Sequence, residues 1–264
     1  GLIFGAVFLV SLLLVKQIFA LLVAIIVAIA LVELAAAFRI AGRRVPRVGV
    51  VLGGLVVVAG AYFWGAEGML LGLFAGSALL TAWRLIEGLV PNWETPPRTL
   101  IRDLFSGLFT LVYVAFLASF TVLLVEAENG QWWVFALVVI VVSVDVGAYA
   151  AGVTLGKHKM TPRISPNKTW EGFAGAAIVA MAVGTVVAIF ALDQPWWVGI
   201  ILGVVVLFTA TGGDLTESLI KRNLGVKDMS SWIPGHGGFL DRLDSLLPSA
   251  VGVYGVALVL GAVS

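Results

Sequence analysis

The feature that most constrains this chain is a succession of apolar stretches separated by short polar links, at residues 2–15, 18–38, 48–63, 67–83, 104–125, 132–152, 173–192, 196–213 and 246–263. Crossing a hydrocarbon core of ~30 Å takes about 20 helical residues. In lipid a segment must satisfy its own backbone hydrogen bonds, so such stretches become helices rather than open strands. With 61% hydrophobic and 12% charged residues among 264, the chain has too little polar surface for a water-soluble fold. Nine spans of about 20 residues would use roughly 180 residues and leave about a third of the chain for connections and chemistry. The expected fold class is all-α: a polytopic membrane protein with about nine transmembrane helices.

The first stretch is short, no charged segment precedes it, and Lys16-Gln17 is no small-residue cleavage site, which disfavours a cleaved signal peptide. Because the chain begins at Gly1 rather than methionine, further residues are expected ahead of it. Passing nine helices alternately through a bilayer puts the links 39–47, 84–103, 153–172 and 214–245 on one side. Those links hold every Lys and Arg except Lys16. By the positive-inside rule that side is the cytoplasm, with the N-terminus inside and the C-terminus outside. The opposite links are short and carry Glu67, Glu126, Glu128 and Asp193. The active site is therefore expected at the cytoplasmic side of an inner or plasma membrane.

Zero cysteines and two histidines exclude disulfides, thiolate chemistry and a His-rich metal site, and a net charge of +1 gives no reason to expect nucleic acid. Arg39, Arg43, Arg44 and Arg47 read as a topogenic loop in contact with lipid headgroups. The link 84–103, with three prolines and balanced charges, reads as a surface loop. Glu33, deep in the second stretch, is an intramembrane ionisable group: either a functional residue or the partner of a loop arginine. No internal repeat at a fixed period is evident, so a repeat-built transporter gains no support.

The segment 214–244 is the richest in chemistry. As a helix, Asp214, Glu217, Ser218, Lys221 and Arg222 fall at i, i+3, i+4, i+7 and i+8, on one face. Gly235, Gly237 and Gly238 let backbone amides approach an anion, and a helix starting just beyond them would aim its N-terminal dipole at the same place. Asp241 and Asp244, at i and i+3, project together from that start. Carboxylates beside a phosphate site suit a divalent cation, magnesium above all, and Asp214, Asp241 and Asp244 exceed what helix capping requires.

The link 156–172 follows a stretch that places Asp145 and Tyr149 on one helical side. Its run Ser165-Pro166-Asn167-Lys168-Thr169 sets hydroxyl and amide groups around one lysine, suiting a polyphosphate and a nucleoside edge. No GxxxxGK[ST] loop is present.

At these residues the sequence resembles the CDP-diacylglycerol synthase, or phosphatidate cytidylyltransferase, family. The resemblance rests on Ser218, Lys221-Arg222, Lys227-Asp228, Ile233-Pro234, His236-Gly237-Gly238, Asp241-Arg242 and Asp244, and upstream on Asp145, Tyr149, Gly152 and residues 164–172. Where that family usually has two lysines after Ser-Pro, this chain has Asn167 before Lys168. The resemblance is clear from about residue 130 onward. It implies transfer of a cytidylyl group from CTP to phosphatidate, giving CDP-diacylglycerol and pyrophosphate in phospholipid biosynthesis.

It further implies that Asp214 and Asp241 hold Mg2+, with Asp244 as a further ligand or a carboxylate behind them, and that a second cation, monovalent K+ being one option, accompanies it. Lys221 and Arg222 would hold phosphates. Ser165, Asn167, Lys168 and Thr169 would bind CTP, with Asp145 orienting that loop or touching the nucleotide. His236 would donate to a phosphate or order its turn; Lys227 and Arg242 would take the lipid headgroup or pair with Asp228 and Asp244. A homodimer follows from the resemblance alone. The chain then divides into N-terminal membrane helices at 1–103 and a catalytic membrane region at 104–264, with a CTP-binding loop at 156–172 and the signature segment at 214–244. The CDP-alcohol phosphotransferases, another class with metal-binding aspartates, have a DGxxAR pattern that this chain lacks. A transporter with Asp145, Glu33 and Asp214 as ion sites would leave the glycine-rich turn and the Lys221-Arg222 pair without a role.

Overall fold

A computed structural model describes residues 10–13, 15–89, 99–230 and 237–263. Among them six helical segments are long and apolar enough to cross a membrane: α1 (Lys16–Ile40), α2 (Arg47–Leu89), α3 (Leu100–Glu126), α4 (Gly130–Leu155), α5 (Trp170–Phe190) and α6 (Trp196–Leu224). A shorter apolar helix, α7 (Leu246–Val259), follows. The expected span at 2–15 lies mostly outside the described residues, which include 10–13 and 15 of it. The one at 246–263 is a 14-residue helix, about 21 Å long and too short to cross a bilayer unaided. The chain is thus an integral membrane protein, built mostly of helix. It is not purely helical, because Lys159–Thr161 (β1) and Ser165–Thr169 (β2) pair antiparallel. The β-branched Thr161 and Thr169 favour extended backbone, and the turn between the strands leaves no length for a helix.

The chain forms two compact units, the first comprising Gly1–Leu123 with Asn223–Asp241 and the second Leu124–Arg222 with Arg242–Ser264. The signature segment is therefore divided between them.

In the first unit, α2 resolves the two stretches expected at 48–63 and 67–83. At 43 residues a straight helix would be about 65 Å long, twice the thickness of a hydrocarbon core. It breaks instead at Trp64 (φ −135°) and Gly65 (φ 63°, ψ −148°), a conformation that suits glycine. The two arms then pack antiparallel, so closely that a Cβ on Gly53 would lie 2.9 Å from the Gly76 carbonyl oxygen and one on Gly72 2.7 Å from that of Val56. Without a hydrophobic driving force between helices in lipid, such small-residue contact is what lets dispersion hold the pair. In α3 the stretch Leu111–Phe116 is a π-helix. The buried core of the unit is drawn from Phe19, Leu31, Leu34, Leu80, Leu111 and Val114.

The polar end of this unit corrects the surface-loop reading of 84–103. Helix α2 continues to Leu89 and α3 begins at Leu100, so Arg84 and Asp103 are helical. Both are buried and form an ion pair of 2.8 Å. The second Asp103 oxygen accepts the Arg44 amide at 3.0 Å, Arg102 donates to the Gly42 carbonyl at 2.6 Å and Arg43 donates to Ser106 at 3.3 Å. Two of the arginines read as headgroup contacts are thus tied into the fold: breaking their buried, mutually neutralising partners apart would leave uncompensated charge.

In the second unit the helices again meet through small residues. A Cβ on Gly147 of α4 would lie 3.0 Å from the Ala176 Cα of α5, and one on Gly203 of α6 2.7 Å from the Ala180 carbonyl oxygen of α5. Helices α6 and α7 share a hydrogen bond between the Thr209 and Ser249 hydroxyls at 3.0 Å. At 29 residues α6 is about 43 Å long, so its last turns outrun the apolar stretch that ends at 213 and carry Asp214 to Arg222 as a helix, as the residue spacing implies.

Candidate active site

The polar link after α4 folds into the β1–β2 hairpin, which returns the chain to the side of α4 and starts α5. Thr169 is both the last residue of β2 and the N-cap of α5, its hydroxyl accepting the Gly172 amide at 3.1 Å. Glu171 clamps the other end of the link, accepting the amides of Lys157 (3.1 Å) and His158 (3.2 Å) and contacting His158 Nδ1 at 2.5 Å. Close packing of α4 on α5 requires Gly172, where a Cβ would lie 2.9 Å from the Ala148 carbonyl oxygen.

This arrangement opens a cavity of about 300 Å³. Asp145 and Tyr149 line it from α4, Ser165, Asn167, Lys168 and Thr169 from the hairpin, and Thr211 and Asp214 from α6. Every CTP-site residue expected from the link is there, together with one expected metal ligand. Lys168 Nζ lies 2.5 Å from Asp214 Oδ2, and Ser218 donates to the other oxygen at 3.4 Å. The first amides of α5 are already engaged, that of Trp170 by the His158 carbonyl at 3.0 Å and that of Gly172 by Thr169, so within the cavity it is Lys168 that favours an anion with several oxygens. Thr169 lines the cavity while its hydroxyl is engaged in capping.

Asp244 follows the short 3-10 turn Leu240–Arg242 and accepts the Ser245 amide at 2.6 Å. Burial, and next the negative charge of Asp214, push its carboxyl up to about 6, against hydrogen bonds from Ser245 and Glu217 and the charge of Lys221. Lys168 faces Asp214 and the charge of Lys221 reaches Asp244, and an all-oxygen donor set from the two carboxylates would suit a hard divalent cation. Among the described residues no group of three or more His, Asp or Glu side chains is arranged to hold an ion. A cation here would draw its other ligands from water and substrate phosphates, as magnesium commonly does. Cation binding must then displace a proton from Asp244 below pH 6. Titrated with Mg2+, the protein should bind about tenfold more weakly at pH 5 than at pH 7.5, and an Asp244→Asn variant should lose that pH dependence.

Other expected residues are placed differently. Lys221 pairs at 3.0 Å with Glu217, four residues back on α6, while Arg222, Lys227 and Arg242 are exposed. Asp241 lies in the first unit, where its Oδ2 accepts the amides of Gly238 at 2.7 Å and Met229 at 3.1 Å. The Gly238 amide, expected to face an external anion, thus serves a carboxylate of the chain itself. Gly237 has φ 75° and leaves no room for a side chain, whose Cβ would lie 2.9 Å from the same oxygen. His236 lies outside the described residues. Sequence reasoning placed Glu217 on the helical face of Asp214 without giving it a role, and missed Thr211, Met160 and Phe173. Thr211 and Glu217, three residues either side of Asp214, and Phe173, four beyond Thr169, carried a helical-spacing signal; Met160 carried none.

The six apolar helical segments, with a cavity of about 300 Å³ in which a lysine meets a carboxylate, define the class as a helical integral membrane protein with a ligand-sized site. The comparisons narrow the class. The family model described as "Cytidylyltransferase family" matches residues 1–260, and the chain belongs to that family. It is 38% identical over 259 residues to the phosphatidate cytidylyltransferase of Mycobacterium bovis, covering 96% of this chain and 85% of that one. With that of Mycobacterium leprae it is 38% identical over 259 residues, covering 95% and 83%. With that of Bacillus subtilis it is 44% identical over 124 residues, covering 46% and 45%.

Proposed function

We propose that the chain transfers a cytidylyl group from CTP to phosphatidate, giving CDP-diacylglycerol and pyrophosphate, at the cytoplasmic side of the membrane. The observation that carries this reading is the cavity in which Lys168 and Asp214 meet beneath the start of α5. The relatives' names supply the substrates and the cavity's chemistry suits them. Ser165, Asn167 and Thr169 address the nucleoside edge and sugar, Lys168 takes phosphate oxygens, and Asp145 orients the hairpin or touches the nucleotide. Lys221, Arg222 and His236 are assigned to phosphates, and Lys227 and Arg242 to the lipid headgroup.

The nucleophile is an oxygen of the lipid phosphate, a monoester with a second pKa near 6 and so largely dianionic at neutral pH. No general base is needed. That oxygen bonds to the α-phosphorus of CTP as the bond from that phosphorus to the bridging oxygen of the β-phosphate breaks, and pyrophosphate leaves with the electron pair. The chain's task is to hold the two phosphates in line and to neutralise charge as it builds on the leaving group. Asp214 and Asp241 would hold Mg2+, with Asp244 as a further ligand or a carboxylate behind them; the ion would supply charge neutralisation at the phosphates. A second cation such as K+ belongs to the same proposal, as do about nine spans, an inside N-terminus, an outside C-terminus and a homodimer.

The test is direct. Purified protein in lipid, given labelled CTP, phosphatidate and magnesium, should form lipid-linked cytidylate and release pyrophosphate in equal amounts. Solute flux across vesicles without turnover would instead identify a transporter and overturn the proposal.

A further inference from the structure

We propose that Glu33 is a positioning residue for Asp241: from the interior of α1 it straps the glycine turn and the backbone that holds the Asp241 carboxylate. The proposal rests on the reading of Asp241 as a cation ligand. Glu33 is 1% exposed and lies seven residues, about 10 Å, before the end of α1. A carboxylate in an apolar helix is costly unless its oxygens are met by donors. Here, among the described residues, the donors come from two short runs close together in sequence and far from α1, at 230 and 239–240. Glu33 Oε1 accepts the Ser230 hydroxyl at 2.5 Å and the Phe239 amide at 3.0 Å, and Oε2 accepts the Leu240 amide at 2.9 Å. The partners are some 200 residues away in sequence, neither the loop arginine that the sequence offered nor an ion pathway.

The same short stretch holds Asp241. Its Oδ2 takes the Gly238 and Met229 amides, the residues immediately before Phe239 and Ser230. Two carboxylates thus grip neighbouring donors at 229–230 and 238–240, Glu33 from α1 and Asp241 from within. Gly238 marks how tight the fit is: a Cβ there would lie 2.9 Å and 3.0 Å from the two Glu33 oxygens and 3.0 Å from the Ser230 hydroxyl. Glu33 touches neither nucleotide nor lipid in this scheme. It acts through the geometry it imposes on Asp241, and a misplaced ligand group of this kind costs rate rather than nucleotide affinity.

The experiment combines amide exchange with kinetics on the full chain in lipid. In Glu33→Ala and Glu33→Gln, exchange in peptides covering 229–242 should quicken at least about tenfold, kcat should fall at least about tenfold, and the magnesium concentration for half-activity should rise. KM for CTP should stay within about threefold. Gly238→Ala, which presses on the carboxylate from the other side, should lower kcat comparably in the wild-type background but by less than about threefold once Glu33 is alanine, a non-additivity that a general loss of stability would not give. Unchanged exchange in both Glu33 variants would overturn the strap and leave the role of Asp241 standing. Quickened exchange with wild-type kcat and magnesium dependence, or additive effects of Glu33→Ala and Gly238→Ala, would overturn the positioning role. Full turnover in Asp241→Asn would instead remove the cation-ligand reading, whatever the exchange shows.

Discussion

Asp214→Asn should lower kcat for lipid-linked cytidylate formation about a thousandfold while leaving a folded, membrane-inserted protein. The substitution keeps the size and one hydrogen-bonding oxygen of the side chain and removes only its charge. That charge serves twice: it faces Lys168 Nζ at 2.5 Å across the cavity, and it raises the carboxyl of Asp244. Neutral asparagine would weaken the cation site and release Lys168 from its partner. Losses of this size are usual when a transition-state charge loses its stabilising group. The Asp214 side chain is about one-third exposed, so the change should cost little stability. Elution as a single species with a thermal midpoint close to that of the parent would confirm the fold. Turnover within tenfold of wild type would remove Asp214 from the chemistry.

The second large effect concerns the hairpin within α2. Gly76→Val should destabilise the protein by about 3 kcal/mol, and Gly76→Ala by roughly 1–3 kcal/mol. A Cβ at 76 would lie 2.6 Å from the Gly53 carbonyl oxygen and 3.1 Å from the Gly53 Cα, and the backbone of the opposite arm has no rotamer by which to yield. Gly212→Ala is the matched control. There a Cβ meets nothing within 4 Å, and in a helix alanine should add about 0.5–1 kcal/mol. Thermal midpoints in detergent, with recovery of inserted protein, measure both. Equal responses at 76 and 212 would show that the arms do not meet as described.

Much of the fold was legible because the bilayer enforces it. Apolar runs flanked by arginine and lysine mark helices whatever they pack against, and the hairpin in α2 could be anticipated because Trp64-Gly65-Ala66 separates two stretches, 48–63 and 67–83, that together are too long for one crossing. The signal failed where burial depended on a partner far along the chain. Arg84 and Asp103 look like loop charges until each is seen to neutralise the other, and nothing local to Glu33 points to Ser230 or Leu240. In the candidate site the hydroxyl, amide and lysine of 165–169 announced an anion-binding loop, yet not that they form a strand, nor that Thr169 spends its oxygen on the helix it begins. The glycine turn at 237–238 announced close approach to an anion; the anion turned out to be the side chain of Asp241, which spacing alone does not distinguish from a phosphate.

The most direct test is the affinity of the hairpin cavity for its nucleotide. CTP with magnesium, titrated into wild-type protein and into Lys168→Met in lipid nanodiscs, should bind the variant about 30 to 100 times more weakly, the usual consequence of removing a charge-assisted phosphate contact. Equal affinity for CTP in the two proteins would contradict the assignment and place nucleotide recognition elsewhere in the chain.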